Sequence, residues 1–202
     1  MFIISILLCV LTIAVVNALI FYNLYNYSFL EPIKWTLILT LYVVLIDGIV
    51  AFIVRKLLNE RHFSINKKNF IAKEKEILFY EKIGVKKWKD KVLELGFLAG
   101  FSKRKIKKPT DNEYVERYII EVNYGICVHF FSVPFGFVIL FLCPKVYVFS
   151  IAFIVAIVNA FYNFLPFAIL RYNLVKLHKL YNLNKRKVIN NISSCLENNN
   201  CA

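Results

Sequence analysis

FIISILLCVLTIAVVNALIFY, from Phe2 to Tyr22, carries no charged side chain over its whole length. A helix crossing a bilayer needs about 20 apolar residues, so this run is long enough to span. A cleaved signal peptide would carry basic side chains ahead of a shorter apolar stretch, then a small-x-small site. Here only the terminal amine is positive and no Ala-x-Ala follows, so the run is expected to be an uncleaved helix.

Three further runs repeat the pattern. Trp35–Val54 ends at Arg55-Lys56 and holds one ionisable group, Asp47, beside Gly48. Gly125–Leu142 is followed by Cys143-Pro144-Lys145, a tight turn, and Val146–Leu170 then stops at Arg171. The expected fold is therefore all-α, a polytopic membrane protein with transmembrane helices at about 2–22, 35–54, 125–142 and 146–170. The 202 residues allow one domain. Hydrophobic residues make up 59% of the chain and mean hydropathy is +0.58. A soluble domain is about 45–50% apolar, so the excess points to lipid.

The formal net charge is +13. In a soluble protein that would suggest nucleic acid. Here the charge lies between apolar runs, which makes anionic lipid headgroups the expected partner and leaves no role for nucleic acid. Residues 55–124 form a dense basic segment, and the tail 171–202 carries Lys176, Lys179, Lys185, Arg186 and Lys187 before an Asn-rich end expected to be disordered. The links Asn23–Lys34 and Cys143–Lys145 hold one basic residue each. The bias of Lys and Arg toward the cytoplasm then places the basic segment and both termini there, in a multi-pass protein of the cell membrane. Tyr22, Tyr25, Tyr27 and Trp35 suit the opposite interface.

Within the basic segment, Trp88, Val92, Leu95 and Ala99 fall at helical spacing among Lys86, Lys87, Lys89 and Lys91, and Gly96 and Gly100 are expected to end the helix. Such a stripe either lies in the membrane interface or packs on another helix. Asp111, Glu113 and Glu116 mark the start of a further helix, which runs into the third span. Cys9, Cys127, Cys143, Cys195 and Cys201 are scattered, with no C-x-x-C pair, and are read as free thiols rather than a metal site or disulfide framework.

No P-loop, G-x-G-x-x-G, G-x-S-x-G or H-E-x-x-H is present. The remaining candidates are polar groups in or beside the apolar runs, where an ionisable side chain costs about 2.5–3.5 kcal/mol on insertion scales. Glu121 and His129 lie two turns apart on one side of a helix, with Gly125 between them leaving room for a substrate or another backbone. Histidine is the natural general base for a hydroxyl, with a carboxylate to orient it; a structural histidine bonded to a carbonyl is the alternative. Asp47 suits a pairing with His129 or Arg171 inside the bundle, or a single interhelical hydrogen bond. Asn159 and Asn163, at i and i+4, suit the same polar pocket. Arg171 either binds an anionic group or snorkels at the interface.

Three segments then become familiar together. Tyr80 through Lys89 is similar to the region before the basic Trp-Lys motif of the glycosyl-4,4'-diaponeurosporenoate acyltransferase family. Glu116 through His129 resembles that family's Glu-x4-Glu-x4-Glu-x2-His stretch. Asn163 followed by Arg171-Tyr172-Asn173 resembles its Asn…Arg-Tyr-Asn ending. The likeness covers roughly half of the chain, from Tyr80 to Leu177. The third Glu falls on Ile126 here, the proline after Asn163 is displaced to Pro166, and Leu174-Val175-Lys176 stands where Arg-Pro-Arg is usual.

The resemblance implies a membrane-bound acyltransferase of staphyloxanthin-type carotenoid biosynthesis, esterifying a hydroxyl of a glycosylated terpenoid or other glycolipid with a fatty acyl group. His129, Glu121 and Glu116 would be catalytic, and Trp88, Asn163 and Arg171 would bind substrate; Asp47, from its place within the second apolar run, is expected to bind substrate with them. No bound cofactor or metal is expected, and acyl-CoA or acyl carrier protein, both acidic, would serve as co-substrate drawn by the basic loop. The rival expectation is a non-catalytic four-helix membrane protein, a permease subunit or a partner's anchor. The two differ in whether Glu121, His129 and Asn163 converge on one pocket.

Overall fold

The computed structural model describes residues 2–63, 74–92 and 106–197, and among them there are helices and no strands. Helix α1 spans Phe2–Tyr25 and α2 spans Leu30–Leu57. A 3-10 turn at Glu60–Phe63 follows, then the short helices α3 (Glu74–Lys82) and α4 (Val85–Trp88) with a 3-10 turn at Lys89–Lys91. Helix α5 runs over Asn112–Gly136 and tightens into a 3-10 stretch at Phe137–Phe141. After a turn at Lys145–Tyr147 and one π-helical turn at Val148–Ala152, α6 runs over Phe153–Glu197. Four of these stretches are long and apolar enough to cross a membrane: 3–25, 30–57, 112–141 and 145–191.

Local chemistry explains the boundaries. Asp111 caps α5 by accepting from the Tyr114 backbone N–H at 3.1 Å, which satisfies one of the orphan donors of the first turn. Pro134 lacks the N–H that the α-ladder needs, and the helix converts to 3-10 three residues later. Arg55 and Lys56 sit in the last turn of α2, where cations complement the helix dipole.

Helices α5 and α6 are antiparallel neighbours. Val115, Ile119, Val122 and Ile126 interlock with Leu174, Val175 and Leu177. Gly125 serves this contact: a Cβ there would lie 2.8 Å from Leu170 Cδ1. The room beside Gly125 is thus filled by Leu170 rather than left open. At the far end, Ile13 and Phe21 of α1, Leu39 and Val43 of α2, and Ile151 and Val155 form a second core, flanked by Trp35 and Tyr147. The outer surfaces stay apolar, with Leu7, Leu11 and Phe52 each at least 59% exposed.

Two segments take shape beyond the spans. The tail is helical through Glu197; Leu177, Leu180 and Tyr181 pack on α5 and Asn184 donates to the Pro109 carbonyl at 2.7 Å, while residues 198–202, the end of the Asn-rich stretch expected to be disordered, lie outside the described residues. The Trp88 stripe packs on α6: Val85 and Val92 are buried with Ala168, Ile169 and Tyr172, and Trp88 lies against them. Leu95, Gly96, Ala99 and Gly100 lie outside the described residues.

A candidate active site between the long helices

The antiparallel pairing of α5 and α6, with α2 alongside, stacks polar groups at two levels. In each helix the two levels are eight residues apart: Asp47 and Arg55, Glu121 and His129, Asn163 and Arg171. At 1.5 Å per residue that is roughly 12 Å along the bundle.

The outer level consists of two ion pairs. Arg55 Nη2 donates to Glu121 Oε2 at 2.6 Å, and its guanidinium lies 5.3 Å from the Tyr124 ring. Arg171 grips Glu76 of α3 through Nε at 3.1 Å and Nη2 at 2.6 Å, a two-pronged geometry that a lysine does not reproduce. Tyr80, one turn after Glu76, is in reach of the same guanidinium. Burial pushes the Tyr80 phenol up, Glu76 adds to the rise, and Arg171 opposes it, so at neutral pH the hydroxyl keeps its proton.

The inner level is a chain of hydrogen bonds. Asn163 Nδ2 donates to Asp47 Oδ2 at 3.0 Å and to Asn159 Oδ1 at 3.0 Å. Asn159 Nδ2 reaches Asp47 Oδ1 at 3.5 Å. Asn163 Oδ1 lies 2.9 Å from His129 Nδ1. The Asn163 amide orientation follows from its partners, because a carboxylate and a carbonyl accept only. Its oxygen must then face His129, and the Nδ1 of that ring must be the donor. The neutral ring is left with its lone pair on Nε2. Among the described residues the one hydrogen bond to the ring is the one at Nδ1.

A cleft of about 470 Å³ runs beside this pair of helices. Glu76, Tyr80 and Arg171 line it at the outer level, and Ile126, Phe130 and Phe167 are among its apolar walls. His129 does not line it; its ring is turned toward α6, while Phe130, the next residue, and Ile126, a turn earlier, are on the wall. Side chains on a helix lean toward its N-terminus. Arg171 on α6 therefore leans inward and His129 on α5 leans outward, which shortens the interval between them.

The structure thus joins Asp47, His129 and Asn163 directly, with Asn159 added. Asp47 pairs with the asparagines rather than with His129 or Arg171. Glu121 is engaged by Arg55, not by the imidazole, and Glu116 lies about 20 Å from His129 along α5, thirteen residues back. Trp88 packs against α6 and donates its indole N–H to the Ile83 carbonyl at 3.1 Å, away from the cleft lining. Sequence reasoning missed Glu76, Tyr80 and Arg55. The one available signal was the i, i+4 spacing of Glu76 and Tyr80 on a short helix.

Gly136 supports the network from behind. A Cβ there would lie 2.5 Å from Asn159 Nδ2. Gly136→Ala is expected to displace that amide and lower stability by about 1–3 kcal/mol, the usual cost of overpacking. Gly125→Ala meets only the movable end of Leu170 and is expected to stay within about 1 kcal/mol in stability. Thermal melts followed by circular dichroism on both variants check the contrast.

No curated protein and no solved structure matches the chain. A family profile described as glycosyl-4,4'-diaponeurosporenoate acyltransferase matches residues 54–183, which takes in α3 to α5, most of α6, and every member of the two polar levels except Asp47. That match extends over more than half of the chain and contains His129, Asn163 and Arg171 in one aligned stretch, and on this ground the chain belongs to the glycosyl-4,4'-diaponeurosporenoate acyltransferase family.

Proposed function

We propose that this protein sits in the cell membrane with its basic segment and both termini on the cytoplasmic side, and there esterifies a hydroxyl of a glycosylated terpenoid or other glycolipid with a fatty acyl group. The observation that carries the reading is the Asp47–Asn163–His129 chain, which holds one ring nitrogen as a donor and leaves the other as a base. His129 Nε2 takes the proton of the acceptor hydroxyl as its oxygen attacks the acyl thioester. The new C–O bond forms, the C–S bond breaks, and the proton passes on to the departing thiolate. Arg171, held by Glu76 at the outer level and leaning inward, would stabilise the developing oxyanion. A bilayer setting brings together two apolar substrates, and the lysine-rich segment draws the anionic donor, acyl-CoA or acyl carrier protein.

The test uses the full chain in lipid nanodiscs with palmitoyl-CoA or palmitoyl-acyl carrier protein and a glycosylated terpenoid acceptor. Mass spectrometry of the lipid extract should find the monoester with one donor or the other. Absence of ester with both donors, from folded protein, would overturn the assignment in favour of a non-catalytic membrane anchor.

A further inference from the structure

The cleft beside α5 and α6 has a polar end and an apolar end. Its polar end is Glu76, Tyr80 and Arg171; its apolar lining, toward the inner level, includes Ile126, Phe130, Phe131 and Phe167. Phe130 and Phe131 line it while remaining 60% and 40% exposed, and Phe130 lies 6.3 Å from Phe167. A volume of about 470 Å³ falls within the usual range for ligand sites of about 300–1,000 Å³.

We propose that this cleft holds the acyl chain of a phosphopantetheine thioester, with the thioester carbonyl at Arg171 and the tail running inward along Phe167, Phe130 and Phe131. The proposal rests on the acyl-transfer reading and adds where the donor binds. Three observations select this occupant. The Arg171–Glu76 pair is neutral in sum, so the polar end suits an uncharged carbonyl better than a free carboxylate. The walls below offer no polar group to a sugar other than the thiol of Cys127. Outside the polar end, Lys82, Lys86 and Lys87 follow Tyr80 on α3 and α4, and Lys176 stands on α6 a turn beyond Arg171, all four exposed. These lysines match the phosphate carried by both coenzyme A and the prosthetic arm of a carrier protein.

The tail-length preference reports the cleft directly. Phe131→Trp fills its inner end and should lower turnover of palmitoyl over decanoyl donors by tenfold or more. Phe130→Ala widens it and should move preference toward longer or branched chains. Phe149→Trp, on an outward face at 79% exposure, serves as the control that leaves the profile unchanged. Binding is read separately with the non-hydrolysable thioether analogue of palmitoyl-CoA on the full chain in nanodiscs. Its affinity should exceed that of coenzyme A alone and fall at least fivefold in Phe131→Trp. Ester formation with a chain-length profile moved by neither Phe variant overturns the proposal. Equal binding of the thioether by wild type and Phe131→Trp does so too. Tail-dependent binding without any ester would leave the cleft assigned and remove the acyltransferase instead. Comparing palmitoyl-CoA with palmitoyl-acyl carrier protein separates the two sources of the same arm.

Discussion

His129→Gln is expected to lower acyl transfer by a hundredfold or more while the protein keeps its helical content and its thermal midpoint. General-base contributions are typically 10²–10⁴-fold. The substitution is chosen because the flexible glutamine side chain, its amide one bond farther from the backbone than Nδ1, can fold back to donate to Asn163 Oδ1 while carrying no basic nitrogen. The hydrogen-bond chain to Asp47 therefore survives and only the basic nitrogen is lost. His129→Ala would confound the two, since it leaves the Asn163 oxygen without a donor. Rates on purified, reconstituted protein, set against circular dichroism and a melting curve, read the difference. A His129→Gln protein within threefold of wild type would remove the general-base role.

The largest effect on stability is expected at Arg171. Its side chain is 13% exposed and that of Glu76 is 33% exposed, so removing the guanidinium strands a partly buried carboxylate. Breaking a buried pair from one side costs about 3–5 kcal/mol, and the partial exposure of Glu76 brings the expectation for Arg171→Leu to about 2 kcal/mol. The double variant Glu76→Leu/Arg171→Leu should recover most of that loss, because an apolar pair of similar size leaves no stranded charge. Unfolding in graded denaturing detergent measures both, and the coupling is the departure from additivity. Additive losses would mean that the two residues do not act as a pair. Arg171→Lys should keep the charge but not the fork, with an intermediate result.

The four spans were legible because each is an uninterrupted apolar run and because charge marks their ends, as at Arg55-Lys56 and Arg171. The inner polar level was legible in its members, since Asp47, His129 and Asn163 are conspicuous in apolar surroundings. Its wiring was not. Spacing along one helix says which side chains share a face, but the partner comes from a different helix. Glu121 looked placed to orient His129, yet Arg55, 66 residues earlier, takes it. Gly125 looked like substrate room, and Leu170 fills it. Glu76 was hidden for the same reason: its partner lies 95 residues away and its own helix follows a long basic stretch. The tail beyond Arg171 gave no span signal because its composition is polar. Its helix persists where a few apolar residues still reach α5.

Asp47 lies before the stretch that matches the family, at the far side of the network from His129. In the proposed reaction it would act on the imidazole through Asn163, as a positioning residue. Asp47→Asn keeps the size but lets the amide present a donor toward Asn163. The expected consequence is a drop of roughly tenfold or more in turnover, comparable to loss of an outer partner in other sites. KM for the donor should be unchanged, which a general weakening of the fold would not produce.

The chain contains three histidines, so nitrogen-15 spectra of histidine-labelled protein in nanodiscs resolve the ring states, with His129→Gln assigning the signal. The account predicts that at a pH where the ring is neutral, His129 carries its proton on Nδ1 and shows an unprotonated Nε2. A proton found on Nε2 instead, with Nδ1 bare, would contradict the Asn163 relay and with it the base on which the proposed reaction depends.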